Sequence, residues 1–129
     1  MINGAHLLLY SSDPDADQAA LERILRSRSV PAEPGRVIFA LPPAEIATHP
    51  GSGDFTQRHA GHDLLGVVLY LMCDDLASTV EELEESGIDC TETEEAEFGL
   101  KTTIVLPGGG EIGLYQPSHE TALEPGGAR

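Results

Sequence analysis

Apolar residues along this chain come in short runs separated by Pro, Gly and Asp, and the runs carry two different periods. Ala5 to Tyr10 is a brief apolar run suited to a buried strand. It ends at Ser11-Ser12-Asp13-Pro14, where Asp13 suits a helix N-cap and Pro14 the first helical position. Ala16, Ala20, Leu21, Ile24 and Leu25 then share one helical face, and Arg23, Arg26 and Arg28 come near the helix end, where cations favour the dipole. Pro31, Pro34 and Gly35 break the chain. Val37 to Leu41 predicts a strand, Pro42-Pro43 a turn, and Glu45 to His49 a second short strand.

The stretch 50–63 is polar, contains Gly and has no clear period, which predicts a linker. The earlier order then returns. Val67 to Met72 predicts a strand, and Asp74-Asp75 caps a helix whose apolar face is Leu76, Val80 and Leu83. Glu81, Glu82, Glu84 and Glu85 of that helix face water, and Gly87 is its C-cap. Ile88 to Cys90, Thr102 to Leu106 and Glu111 to Gln116 predict strands, with a turn at Pro107 to Gly110. The chain thus divides into module one (4–50), a linker (51–65) and module two (66–117), one domain over 1–117. A polar, Gly-rich tail over 118–129 is expected to be loose.

The two modules also agree in their letters. Leu41-Pro42-Pro43-Ala44-Glu45-Ile46 returns as Leu106-Pro107-Gly108-Gly109-Gly110-Glu111-Ile112 with one extra turn glycine, and Arg36 is answered by Lys101. His6 to Asp13 is answered by Val68 to Asp75, and Leu21 by Leu83. The fold class this implies is α+β: two repeated βαβββ modules forming a cupped mixed sheet with helices on its outer face.

Strand alternation sorts the faces. Leu7, Leu9, Leu69, Leu71, Ile112 and Leu114 belong to the aliphatic faces and are expected under the helices. The mixed faces carry His6, Glu45, His49, Tyr70, Glu111 and Tyr115, which are expected to line a concavity and form the ligand-binding set. His6, Glu45 and Glu111 should share one cavity.

Composition narrows the partners. With 7 Lys plus Arg against 22 Asp plus Glu, the net charge is −15. Such a surface repels phosphate backbones and anionic lipid, which argues against nucleic acid and membrane as partners. It serves solubility, or it draws in a cationic small molecule. Hydrophobic residues make up 40%, as in a globular domain, and no apolar run approaches the roughly 20 residues of a membrane span. The first residues lack the basic n-region of a signal peptide, so the expected location is the cytoplasm. Cys73 and Cys90 form no C-x-x-C pair and read as buried free thiols of a reducing compartment; Asp74 and Asp75 disfavour a thiolate at Cys73.

The His6 strand leading into Asp13, the junction Leu69-Tyr70-Leu71-Met72-Cys73-Asp74-Asp75-Leu76 and the closing segment Leu106 to Pro117 resemble the vicinal oxygen chelate superfamily. That group includes glyoxalase I, extradiol dioxygenases and the bleomycin and fosfomycin resistance proteins. The resemblance covers residues 4 to about 117. It implies the duplicated fold and a homodimer. Metal enzymes of the superfamily place ligands early in the first strand and in the last strand of each module. Carried over, those places are His6, Val68, Ala47 and Gly113, and only His6 has a donor side chain. The expectation is therefore a small-molecule binder with no cofactor and no metal.

The alternative is one divalent metal ion in a shifted site made by His6, Glu45 and Glu111. Glu45 and Glu111 could also act as acid–base groups of a lyase, isomerase or dioxygenase. His59-Ala60-Gly61-His62 has the spacing of a metal pair but lies in an unperiodic, Gly-containing stretch that reads as a solvated loop. Gly108-Gly109-Gly110 reads as a hairpin turn and not a phosphate loop, because no helix follows it.

Overall fold

The computed structural model describes residue 1 and residues 3–123. Its elements run α1 (Pro14–Leu25), β1 (Ser29–Pro31), β2 (Val37–Phe39), β3 (Thr56–His59), β4 (His62–Leu65), β5 (Tyr70–Met72), α2 (Leu76–Glu85), β6 (Asp89–Cys90), β7 (Glu94–Ala96), β8 (Gly99–Val105) and β9 (Glu111–Pro117). The architecture is α+β, and its sheet is mixed. Helix, strand and antiparallel strand follow one another in both modules: α1, β1 and β2 in the first, α2, β6 and β8 in the second.

The core is built by module two. β9 lies at its centre, with β8 antiparallel on one side and β5 parallel on the other. β6 and β7 both pair with β8, so among the described residues β5 forms one edge of the sheet and β6 with β7 the other. Ile104, Ile112 and Leu114 point to the helix side and pack with Leu76, Leu83 and Ala20, with Leu69 and Leu71 against the same cluster. The alternation expected for β5 and β9 therefore holds.

Both helices start where the caps place them. The Asp13 carboxylate accepts from the Ala16 N–H, and the Asp75 carboxylate from the Ser78 N–H. α2 ends at Gly87, whose φ of +84° permits the Ile88 N–H to reach the Leu83 carbonyl at 2.9 Å. α1 ends on Arg26, a residue in the left-handed region with φ +49°.

One buried acid joins the modules. Asp17 sits on α1 beside the apolar face and is 6% exposed. Its carboxylate accepts from the Gly108 N–H at 2.7 Å and from the Ser11 hydroxyl at 2.5 Å. Ser12 donates to the Gly108 carbonyl at 2.8 Å. Module one is thus pinned to the turn between β8 and β9. A Cβ on Gly108 would stand 2.7 Å from the Asp17 oxygen, so this turn position favours glycine.

Three expectations for module one and the linker need correction. Residues 5–10 and 45–49 are not strands. In module two the equivalent pair is β5 against β9. In module one Pro42, Pro43 and Pro50 bracket the second partner, and proline gives a ladder no N–H. Without a ladder, strand phase is lost. Leu7 is half-buried, whereas Leu9 is 43% exposed rather than under a helix. The linker is also not a loop throughout. β3 and β4 form a hairpin whose two-residue turn, Ala60-Gly61, has both φ values positive, at +52° and +85°. β7, an acidic edge strand, was not foreseen. Of the expected tail, residues 118–123 carry no helix or strand, and 124–129 lie outside the described residues.

Gly113 of β9 is covered by the Tyr70 ring from β5, its partner in register. A Cβ there would stand 2.2 Å from a ring carbon. We expect Gly113→Ala to destabilise the domain by roughly 1–3 kcal/mol, the usual cost of overpacking. A Tyr70→Ala background should remove most of that cost. Urea unfolding of the two single variants and the double variant checks it, and additive effects would contradict the stacking.

Candidate functional site

The helix-free face of the sheet carries Tyr70 and Met72 from β5, Glu111, Gly113 and Tyr115 from β9, and Lys101 and Thr103 from β8. Because Gly113 has no side chain, the Tyr70 ring lies flat enough to reach its neighbours. Tyr70, Phe98 and Tyr115 form a three-ring cluster, each pair edge-to-face, with centroids 5.3, 5.4 and 5.9 Å apart. Tyr115 is the floor, 8% exposed, and Tyr70 stands 38% exposed above it. The Tyr115 hydroxyl meets His119 Nε2 at 3.1 Å.

Glu45 of module one stands within electrostatic reach of Tyr115. Its carboxylate accepts from the Ala122 N–H at 2.6 Å. Burial pushes the Tyr115 phenol up from its ordinary value, and the charges of Glu45 and then Tyr70 add to the shift.

The sequence-derived set is therefore divided. Tyr70 and Tyr115 come together, and Glu45 acts on Tyr115 through its charge. Glu111 stands four residues before Tyr115 on β9, about 13 Å of strand away, and accepts from the Thr103 hydroxyl at 2.9 Å. His49 is exposed and its ring nitrogen meets the Pro50 carbonyl. His6 is on the other side of the sheet, on the wall of a cavity of about 550 Å³ between α1, residues 5–9 and β2. Leu21, Arg36, Val37 and Asp17 also line that cavity. Neither Glu45 nor Glu111 reaches it, so the shared cavity of His6, Glu45 and Glu111 is not formed. The strand at 5–10 that would have turned His6 towards the sheet face is missing.

Phe98 and His119 were missed. Phe98 directly follows the acidic run from Glu92 to Glu97, and His119 lies four residues beyond Tyr115. Neither follows from strand alternation, because both lie outside strands.

The residues do not fit the metal that the superfamily resemblance implies. Gly113 is under the Tyr70 ring, Val68 is 82% exposed, and Ala47 lies in an irregular segment. Among the described residues no group of three or more His, Cys, Asp or Glu is placed to hold a metal ion. Cys73 and Cys90 are free and half-buried. Burial raises both thiols, and nearby carboxylates (Asp74 for Cys73, Glu84 for Cys90) push the same way.

Compared with family models and with curated protein sequences, the chain has no match. Solved structures do resemble it in shape. One is TnmS3, an antibiotic binding protein from Streptomyces sp. CB03234, at TM-score 0.53 and 20% identity over 92% of this chain and 100% of that one. A glyoxylase/bleomycin resistance protein/dioxygenase domain from Frankia sp. EAN1pec has TM-score 0.51 and 16% identity over 91% and 98%. Lactoylglutathione lyase from Agrobacterium tumefaciens has TM-score 0.53 and 18% identity over 84% and 88%. At these identities the likeness shows the fold alone, the α+β fold that this chain shares with these three proteins.

The Tyr115 shift has a sign that can be checked. Its phenol ionises more readily in the unfolded chain, so its share of stability is complete below the ordinary tyrosine value of about 10 and is lost as pH rises through the folded value. Tyr115→Phe should flatten the alkaline fall of stability between those two values. Denaturation midpoints measured from pH 8 upwards check this, and an unchanged alkaline limb would count against the burial assigned to Tyr115.

Proposed function

We propose that this chain is a binding protein for a small organic molecule, and that it works without the superfamily's metal. The observation that carries this is the Tyr70–Phe98–Tyr115 cluster over Gly113. One of the four places where the resemblance expects a metal ligand has become the seat of an aromatic side chain. Such a surface gains from contact with a flat, apolar or aromatic ligand. Glu45, within electrostatic reach of Tyr115, and the −15 net charge favour a cationic one. The antibiotic-binding neighbour supports the same reading. His6 belongs to a separate cavity, whose volume of about 550 Å³ lies within the range of ligand pockets.

The charge argues against nucleic acid, and two free cysteines support a reducing, cytoplasmic setting. No described helix is long and apolar enough to cross a membrane.

A planar cationic acridine is a direct probe. It should raise the melting temperature of the protein, and further as its free concentration climbs above the dissociation constant, and chelator treatment should leave that shift intact. Tyr70→Ala and Phe98→Ala should each remove most of it. A shift untouched by both variants would place the ligand elsewhere, with Leu21 and Val37 of the other cavity next to be altered. About one zinc, iron, manganese or nickel per dialysed chain, lost in His6→Ala, would favour the metal-dependent lyase, isomerase or dioxygenase instead.

The second partner we propose is another copy of this chain. Among the described residues β5 is an edge strand with no partner on its outer side, and Val67 and Val68 beside it are 66% and 82% exposed. Sedimentation velocity should give a dimer that Val68→Lys weakens; a monomer at all concentrations would refute it.

A further inference from the structure

The hairpin of β3 and β4 brings two histidines together at its tip. His59 and His62 are partners in register across the turn Ala60-Gly61. Opposite residues of an antiparallel pair carry their Cβ atoms about 4.5–5.5 Å apart on one face. The tight turn holds that spacing, because both of its φ values are positive and match the twist of the strands. The other face of the hairpin carries the ion pair of Arg58 with Asp63 at 3.1 Å, so no guanidinium stands between the two rings.

The ring of His59 is held by its neighbour through Nδ1. The Tyr10 hydroxyl donates to the Arg58 carbonyl at 3.4 Å, and its oxygen is left to accept. His59 Nδ1 is hydrogen-bonded to that same oxygen. Whichever partner donates, the contact occupies Nδ1 and leaves Nε2, at the outer end of the ring, as the nitrogen open to a ligand. This is the arrangement in which a metal-ligating imidazole is oriented through its second nitrogen. The Tyr10 and His59 rings are 6.0 Å apart and tilted by 67°, which holds the ring plane as well.

We propose that His59 and His62 bind one divalent transition-metal ion at the hairpin tip, with Tyr10 as the positioning residue and water completing the coordination. Two imidazoles suit copper, nickel and zinc, and Cu²⁺ is favoured by the general affinity order. The −15 charge of the chain raises the local concentration of any cation. The site is exposed and has two protein donors, so the ion exchanges freely and leaves on dialysis against a chelator. It is separate from the aromatic cluster and does not depend on the ligand reading.

The test is a titration of metal-free protein with Cu²⁺ alone, followed by calorimetry and by the nitrogen hyperfine pattern of the copper resonance. One Cu²⁺ per chain with two coordinated imidazole nitrogens is the expected result. Tyr10→Phe should weaken binding by about tenfold, at the lower end of the usual effect of an orienting partner. His59→Gln and His62→Gln should each weaken it more, and each should leave one coordinated nitrogen or none. Circular dichroism should show both variants folded, since the two residues lie outside the core. Stoichiometric binding that survives the double variant, or no saturable binding in the native chain, overturns the proposal.

Discussion

The domain depends on one buried carboxylate. Asp17 lies on α1 one turn before Ala20, which packs into the module two core, and it holds the β8–β9 turn through the Gly108 N–H while taking the Ser11 hydroxyl from the segment before the helix. A buried acceptor of this kind costs free energy unless its hydrogen bonds are made, so the turn and α1 stabilise each other or fail together. Module one has little else of its own. Its β1 and β2 are three residues each, and its cavity leaves Leu7, Leu21 and Val37 short of neighbours. Module two has the sheet and the helix packed on it.

The same asymmetry places the candidate site. A flat glycine on β9 lets Tyr70 lie across the sheet, and that ring organises Phe98 and Tyr115. The aromatic surface is therefore built on paired strands, with Tyr70 on β5 and Tyr115 on β9. Glu45 acts on Tyr115 from an irregular segment of module one.

Local signals in the sequence proved readable and distant ones less so. Asp13 and Asp75 cap their helices, Gly87 ends α2, and Ile112 and Leu114 alternate with Gly113 and Tyr115 as the letters suggest, because each depends on near neighbours alone. Residues 5–10 look like a strand by the same rule, but a strand also needs a partner, and the prolines around 44–49 leave it none. The hairpin was hidden for the opposite reason. Thr56-Gln57-Arg58-His59 has no apolar alternation, and what holds it is the turn, the Arg58–Asp63 pair and the Tyr10–His59 contact. Of the candidate site residues, those on module two strands kept their faces. His6 and His49, outside any ladder, did not join them.

β7 gives the acidity of the chain a local meaning. Glu94 and Glu95 sit on a three-residue strand at one margin of the sheet, next to Asp89 on β6. Carboxylates at a margin discourage another chain from adding there. The opposite margin, at β5, has no such guard. A sheet blocked on one side can be extended once, by a like molecule meeting it edge to edge, and then both open margins are used up. Growth into fibres needs two open margins per molecule. Neutralising the glutamates, by acid or by substitution, would remove this obstacle and open the second margin.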